Sequence, residues 1–109
     1  MRIIVAGAKG LLGHEVAHVL RTSGYALIAA DLEEDLPHDI AALDITQPEM
    51  VQGFLEATRP AWLINCAAYT QVDACEEHVD LAFQVNGKAP GYLAEACSEK
   101  GASLLHVSS

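Results

Sequence analysis

Ile3-Ile4-Val5-Ala6-Gly7-Ala8-Lys9-Gly10-Leu11-Leu12-Gly13 is the stretch that decides the fold. Four apolar residues closed by a glycine predict a short strand covered on both faces, as in a parallel sheet. Just downstream, Leu12, Val16, Val19 and Leu20 fall at i, i+4, i+7 and i+8, the stripe of one helix face, and Gly24 supplies a stop. The turn between strand and helix carries Gly7, Gly10 and Gly13. Glycines at such a turn allow a tight change of direction, a close backbone approach to a pyrophosphate, and close packing of helix on strand. The first helical turn then presents unpaired N–H groups and a positive dipole end to the phosphates.

Outward from that turn, strands and helices alternate. Residues 25–30, 62–68 and 103–107 are further apolar runs, and residues 40–43 form a weaker one. Thr46-Gln47-Pro48-Glu49 has capping-box spacing with proline in the first turn, so Thr46 is expected to cap a helix reaching Thr58. The longest helical pattern covers residues 79–100, with Leu81, Val85, Ala89, Leu93 and Ala96 as its apolar stripe and Gly101 as its end. Pro90 lies inside it, removing a donor and crowding the carbonyl of Asn86, so a kink is expected there. The acidic segment 33–38 reads as a surface loop. This alternation predicts an α/β fold: a Rossmann-type, doubly wound parallel sheet of about five strands with right-handed crossovers. One domain spans residues 1–109. A buried strand ordinarily leads into a turn or helix, so the apolar residues close to Ser109 suggest the N-terminal portion of a longer protein.

Asp31 ends the second strand, eighteen residues beyond Gly13, where a carboxylate accepts from a ribose hydroxyl. A carboxylate there welcomes a 2′-hydroxyl and repels a 2′-phosphate, which favours NAD(H) over NADP(H). Lys9, a cation within the glycine turn, acts in the opposite sense and keeps NADP(H) open.

Composition agrees with a compact domain: 51% of residues are apolar and 19% charged, enough for a core and too few charges for disorder. A net charge of −9 argues against nucleic acid and anionic membranes as partners. An anionic ligand must then be held by local donors. Cys66, Cys75 and Cys97 are odd in number and form no C-x-x-C pair, which suits reduced thiols in a cytoplasmic protein. The apolar run before Gly7 is too short for a signal segment, and no stretch has the length of a membrane span. His14-Glu15-Val16-Ala17-His18 matches the H-E-x-x-H zinc signature. At about 100° per residue, however, the two histidines point away from the apolar stripe toward water, and no third ligand is evident. No metal is expected.

Taken together, these segments resemble the extended short-chain dehydrogenase/reductases, and within them the dTDP-4-dehydrorhamnose reductase family, over essentially the whole chain. The resemblance rests on the glycine turn, Asp44-Ile45-Thr46, Arg59-Pro60, the stretch Asn65-Cys66-Ala67-Ala68-Tyr69-Thr70-Gln71-Val72-Asp73, Glu76, Val85-Asn86, Ala89-Pro90 and His106-Val107-Ser108-Ser109. The Asn65–Asp73 stretch is the most specific of these.

The resemblance implies an NAD(P)H-dependent reduction of the 4-keto group of a dTDP-deoxysugar, on the way to dTDP-rhamnose. It places Gly7, Lys9, Gly10, Leu11, Leu12, Gly13 and Asp31 on the cofactor, with Asp44 and Ile45 beside the adenine. Ala67, Ala68 and Tyr69 would lie between ribose and nicotinamide. Thr70, Val72 and Asp73 would lie near the sugar nucleotide. Ser109 would supply the catalytic hydroxyl, and Asn86 would support the active site. The family's Tyr-x-x-x-Lys proton-donor motif is absent: Lys9, Lys88 and Lys100 follow Val5, Gln84 and Ala96 at that spacing. The chain is therefore expected to bind dinucleotide without turning substrate over, the motif and the substrate-binding part lying beyond it. The same resemblance extends to other nucleotide-sugar reductases and epimerases and to the non-catalytic regulatory subunit of methionine adenosyltransferase, and it is compatible with a homodimer.

Overall fold

A computed structural model describes residues 1–67 and 84–107. Its elements run β1 (Arg2–Ala6), α1 (Leu11–Thr22), β2 (Ala26–Asp31), a 3-10 turn (Leu36–His38), β3 (Ile40–Ala42), α2 (Pro48–Thr58), β4 (Trp62–Asn65), a π-helical turn (Gln84–Lys88), α3 (Ala89–Lys100) and β5 (Ser103–His106). The five strands form one sheet in the order β3-β2-β1-β4-β5, every pairing parallel. This is the α/β Rossmann-type architecture that the alternation predicts. The chain moves outward from β1 to β3, then returns to the other side of β1 as β4. The order therefore reverses between β1 and β4, and a crevice opens at their carboxyl ends.

One face of the sheet carries the main core. Ile4, Ala6, Ala30 and Leu63 pack there with Val51 and Leu55 of α2 and with Ala89, Leu93, Ala96 and Cys97 of α3. Helix α1 packs on β1 and β2 and takes no part in that cluster, so helices cover both faces. Its contact line differs from the stripe in the sequence. Gly13 and Ala17 are the buried residues, Val16 and Leu20 are half-buried, and Leu12 and Val19 remain 46% and 56% exposed. The reason is proximity. A Cβ on Gly13 would lie 2.0 Å from the Gly7 carbonyl oxygen, so only the smallest side chains fit between α1 and the sheet.

Three local expectations change. Thr46 does not cap α2: its hydroxyl and N–H both donate to Asp44 Oδ1, at 2.6 and 3.0 Å, and Gln47 occupies the cap position without a side-chain bond. The Thr46 side chain is held by the carboxylate two residues back, and the cap position falls one residue later than the capping-box spacing suggests. Strand β4 closes at Asn65 rather than running to residue 68, because the Asn65 side chain captures the Ala67 N–H at 3.0 Å. The irregularity at Pro90 appears as a change of hydrogen-bond pattern. The π turn ends at Lys88, and Pro90 falls in the first turn of α3, where a missing N–H breaks no bond.

Candidate functional site

The glycine turn lies at the carboxyl end of β1, beside the reversal of strand order. Gly7 has φ = 80°, and a Cβ on it would stand 2.5 Å from Ala67 N, so glycine is required both for the turn and for the approach of the segment after β4. Gly10 N–H donates to Gly7 O at 3.1 Å, and His14 N–H makes the first helical bond to Gly10 O at 2.8 Å. The amides of Leu11, Leu12 and Gly13 precede that bond and have no carbonyl within the helix to meet. A Cβ on Gly10 would meet nothing closer than Gly7 O at 3.4 Å, so this glycine leaves open backbone along a cleft. Gly13, as described, seats the helix. The three glycines thus do three different things.

The cleft, about 400 Å³, is lined by Gly7, Lys9, Gly10, Asp31, Asp44, Ile45 and Ala67, with five further residues discussed below. Asp31 turns toward the glycine turn: Oδ2 accepts Lys9 N–H at 2.8 Å and Oδ1 accepts Leu32 N–H at 2.7 Å. Each carboxylate oxygen retains a second lone pair for a ligand hydroxyl. Asp44, two residues past the end of β3, is held by Thr46 through Oδ1. Ile45 is buried beneath it. Cys66 and Ala67 form the wall that continues β4, and burial pushes the Cys66 thiol above its usual range. The arrangement offers backbone donors at a helix start, two carboxylates as hydroxyl acceptors, and small or apolar walls. That donor set fits a linked pair of phosphates flanked by a sugar and a flat apolar ring.

Residues 1–109 match the protein family described as RmlD substrate binding domain. The chain belongs to this family. Among curated members, a probable low-salt glycan biosynthesis reductase (Agl14) from Haloferax volcanii is 40% identical over 99% of this chain and 37% of its own length. A dTDP-4-dehydrorhamnose reductase from Aggregatibacter actinomycetemcomitans is 39% identical over 98% of this chain and 34% of its own. The crystal structure of a dTDP-4-dehydrorhamnose reductase from Bacillus anthracis, in complex with NADP, superposes with a TM-score of 0.79 at 35% identity, over 94% of this chain and 34% of that one. The RmlD-family chain thus spans about a third of the length of the relatives it matches.

Of the residues expected on a cofactor, Gly7, Lys9, Gly10, Asp31, Asp44, Ile45 and Ala67 meet in the one cleft. Leu11, Leu12 and Gly13 do not line it. Their side of the turn contributes amides, and Leu11 is 86% exposed. Ala68, Tyr69, Thr70, Val72, Asp73 and Ser109 lie outside the described residues. Asn86 falls on the π turn by its backbone, and its side chain is likewise outside the described part. Sequence reasoning missed Leu32, Leu43, Thr46, Cys66 and Val85 as cleft residues. All five directly follow or precede an expected site residue, which was an available signal; Leu43 and Cys66 in particular flank Asp44 and Ala67. His14 and His18 are both exposed, as their helix angle requires, and among the described residues no three metal-ligating side chains gather. No helix among the described residues is long and apolar enough to cross a membrane.

Proposed function

We propose that this chain is the cofactor-binding portion of an NAD(P)H-dependent reductase that acts on the 4-keto group of a dTDP-deoxysugar. The observation that carries the reading is the convergence of open backbone at Gly10 and the Asp31 carboxylate on one cleft at the strand-order reversal, next to the residues that open α1. The pyrophosphate would be held by the amides of the turn and of the first helical residues. Asp31 would accept from the adenosine ribose, and Asp44 with Ile45 would border the adenine. Cys66 and Ala67 would line the path toward the nicotinamide, continued by Ala68 and Tyr69. When bound, the dinucleotide supplies a hydride; what these residues do is orient it and keep water from one side of it.

Asp31 favours NAD(H), because a 2′-phosphate would stand against its charge. The Bacillus anthracis relative holds NADP, and Lys9, which lines the same cleft, is the residue here that could accept the extra phosphate. Thr70, Val72 and Asp73 would shape the sugar-nucleotide site. Asn86 and Ser109 would serve the reaction, Ser109 as hydrogen-bond donor to the substrate carbonyl. A Tyr-x-x-x-Lys pair is lacking in residues 1–109. The chain alone should therefore bind dinucleotide without reducing substrate, since a serine hydroxyl is too weak an acid to protonate the developing alkoxide by itself.

Calorimetric titration of the chain with NADH and NADPH tests the binding. Saturable heat with NADH is expected; no heat with either dinucleotide would remove the proposal. Incubating a longer form that carries a Tyr-x-x-x-Lys pair with NADH and the 4-keto sugar nucleotide tests the reaction, which should consume the reduced nicotinamide absorbance.

A further inference from the structure

Asn65 and His106 belong to stretches that carry the family resemblance, yet neither lines the cleft. They meet across the ends of neighbouring strands β4 and β5, where Asn65 is paired in register with His106. Asn65 is completely buried, the one buried polar residue among those described. Its Oδ1 accepts the Ala67 N–H at 3.0 Å, which settles the orientation of the amide. The flipped amide would set an NH₂ group against that N–H, donor on donor. Nδ2 is therefore the end that meets His106 Nδ1, at 2.9 Å. An amide nitrogen only donates, so His106 Nδ1 carries a lone pair and the ring proton resides on Nε2. The main chain closes the same unit: Val107 N–H donates to Asn65 O at 3.0 Å, and Cys66 N–H to Ala6 O at 2.9 Å. The result of these bonds is the path of Cys66 and Ala67, whose backbone occupies the space a Cβ on Gly7 would need.

We propose that Asn65 and His106 are a positioning pair: the neutral Nε2–H tautomer of His106 holds the Asn65 amide, and that amide sets the Cys66–Ala67 wall of the cleft against Gly7. The pair links the carboxyl end of β5, where the chain runs on to Ser108 and Ser109, to the wall at β4. Neither side chain lines the cleft; both act through Ala67. The consequence for affinity rests on the dinucleotide reading above, whereas the tautomer and the Ala67 hydrogen bond do not.

The test uses wild type, His106→Leu, which removes the acceptor and strands a buried donor, and His106→Gln, whose amide oxygen can accept in its place. In unliganded wild type, nitrogen NMR of the imidazole should show Nδ1 unprotonated and Nε2 protonated. His106→Leu should speed hydrogen exchange of the Ala67 amide and weaken NADH binding, each about tenfold, the scale of an orphaned buried donor. ADP, which on the dinucleotide reading spans the glycine turn and Asp31 without reaching along this wall, should bind with unchanged affinity, and His106→Gln should recover most of both losses. A protonated Nδ1 in wild type overturns the pair. So does His106→Leu with unchanged Ala67 exchange and NADH affinity, or with equal losses for ADP and NADH, the mark of general destabilisation. If wild type binds neither nucleotide, the functional reading fails separately, and the tautomer and the Ala67 exchange alone decide the pair.

Discussion

Replacing Gly13 with alanine sets two physical effects against each other. In a helix interior alanine is favoured over glycine by about 1 kcal/mol, so propensity alone predicts a more stable protein. The added Cβ, however, would lie 2.0 Å from Gly7 O, 2.7 Å from Gly7 C and 3.1 Å from Ala8 Cα. The first of these is about 1.4 Å inside the 3.4 Å at which ordinary contact begins. The obstruction is backbone, and it cannot rotate away as a side chain could. Gly7 O also accepts the Gly10 N–H, so pushing it aside loosens the turn itself. Overpacking of this kind costs about 1–3 kcal/mol, and a weakened hydrogen bond adds about 1 kcal/mol. Steric cost wins, for a net destabilisation of about 1–3 kcal/mol after the propensity gain. The same change at Gly53, mid-way along α2 with nothing within 4 Å of the added atom, serves as the control. It should stabilise by about 0.5–1 kcal/mol. Urea denaturation of both variants, with NADH titration of each, measures the contrast. A Gly13→Ala protein as stable as wild type, binding NADH equally well, would refute the close-approach argument.

Other expectations address the charges and thiols. Asp31→Asn should raise NADPH affinity relative to NADH by about tenfold, because a carboxylate next to a 2′-phosphate is replaced by a neutral amide; an unchanged ratio in parallel titrations would show that Asp31 does not select the cofactor. The Glu56 carboxyl is held below its ordinary value, chiefly by the hydrogen bond from Lys100 at 2.6 Å, then by the charges of Lys100 and Arg59. A depressed folded value means a stabilising contribution that is present above about pH 4.3 and lost as pH falls through the folded value. Glu56→Gln should therefore flatten the acid limb of the stability curve, and added salt should shrink the difference, since the pair is exposed. Burial raises the Cys97 thiol above its usual range and places it in the core, so iodoacetamide should label it only when the protein opens globally; rapid labelling in native buffer, read by mass spectrometry, would contradict the packing of α3. NADH affinity should stay level or rise with added salt, and a steep fall, of the kind basic phosphate sites show, would point to a side-chain anion site instead.

Much of the fold was legible because its signals are local. Four short apolar runs, each closed by a polar or glycine residue, and helices with recognisable stops were enough to give a parallel sheet. The glycine turn and Asp31 were legible for a related reason: each stands at the carboxyl end of a strand, which is where parallel α/β sheets place their ligands, whereas Asp44 and Ile45 came from the family resemblance. What escaped depended on contacts distant in sequence or on competition between two local choices. Nothing in the spacing of Leu12, Val16, Val19 and Leu20 reveals that the Gly7 carbonyl brings Gly13 and Ala17 to the contact line. The capping-box spacing at Thr46 does not reveal that its side chain is held by Asp44 and that α2 begins one residue later. Cys66 and Val85 look like core residues until the strand order and the π turn bring them to the cleft.

For an acidic protein, holding an anionic cofactor as proposed above poses a problem of range. The net charge is −9, but any part of it farther from the cleft than the screening length, about 8 Å at physiological ionic strength, is largely screened. A unit charge about 15 Å away in water repels another by about 0.3 kcal/mol even before screening. A charge-assisted hydrogen bond acts at contact and contributes about 1.5–3 kcal/mol. The two carboxylates at the cleft are themselves partly neutralised by donors: Asp31 by the amides of Lys9 and Leu32, Asp44 by the amide and hydroxyl of Thr46. Their oxygens can then accept from sugar hydroxyls while presenting less bare charge to the phosphates. If the attraction comes mainly from backbone dipoles, Lys9 is, among the described residues, the one cleft-lining cation whose contribution salt would weaken, and otherwise salt screens the distant repulsion. The sign of the salt response therefore separates a backbone cradle from a basic patch. It does so without reference to any relative.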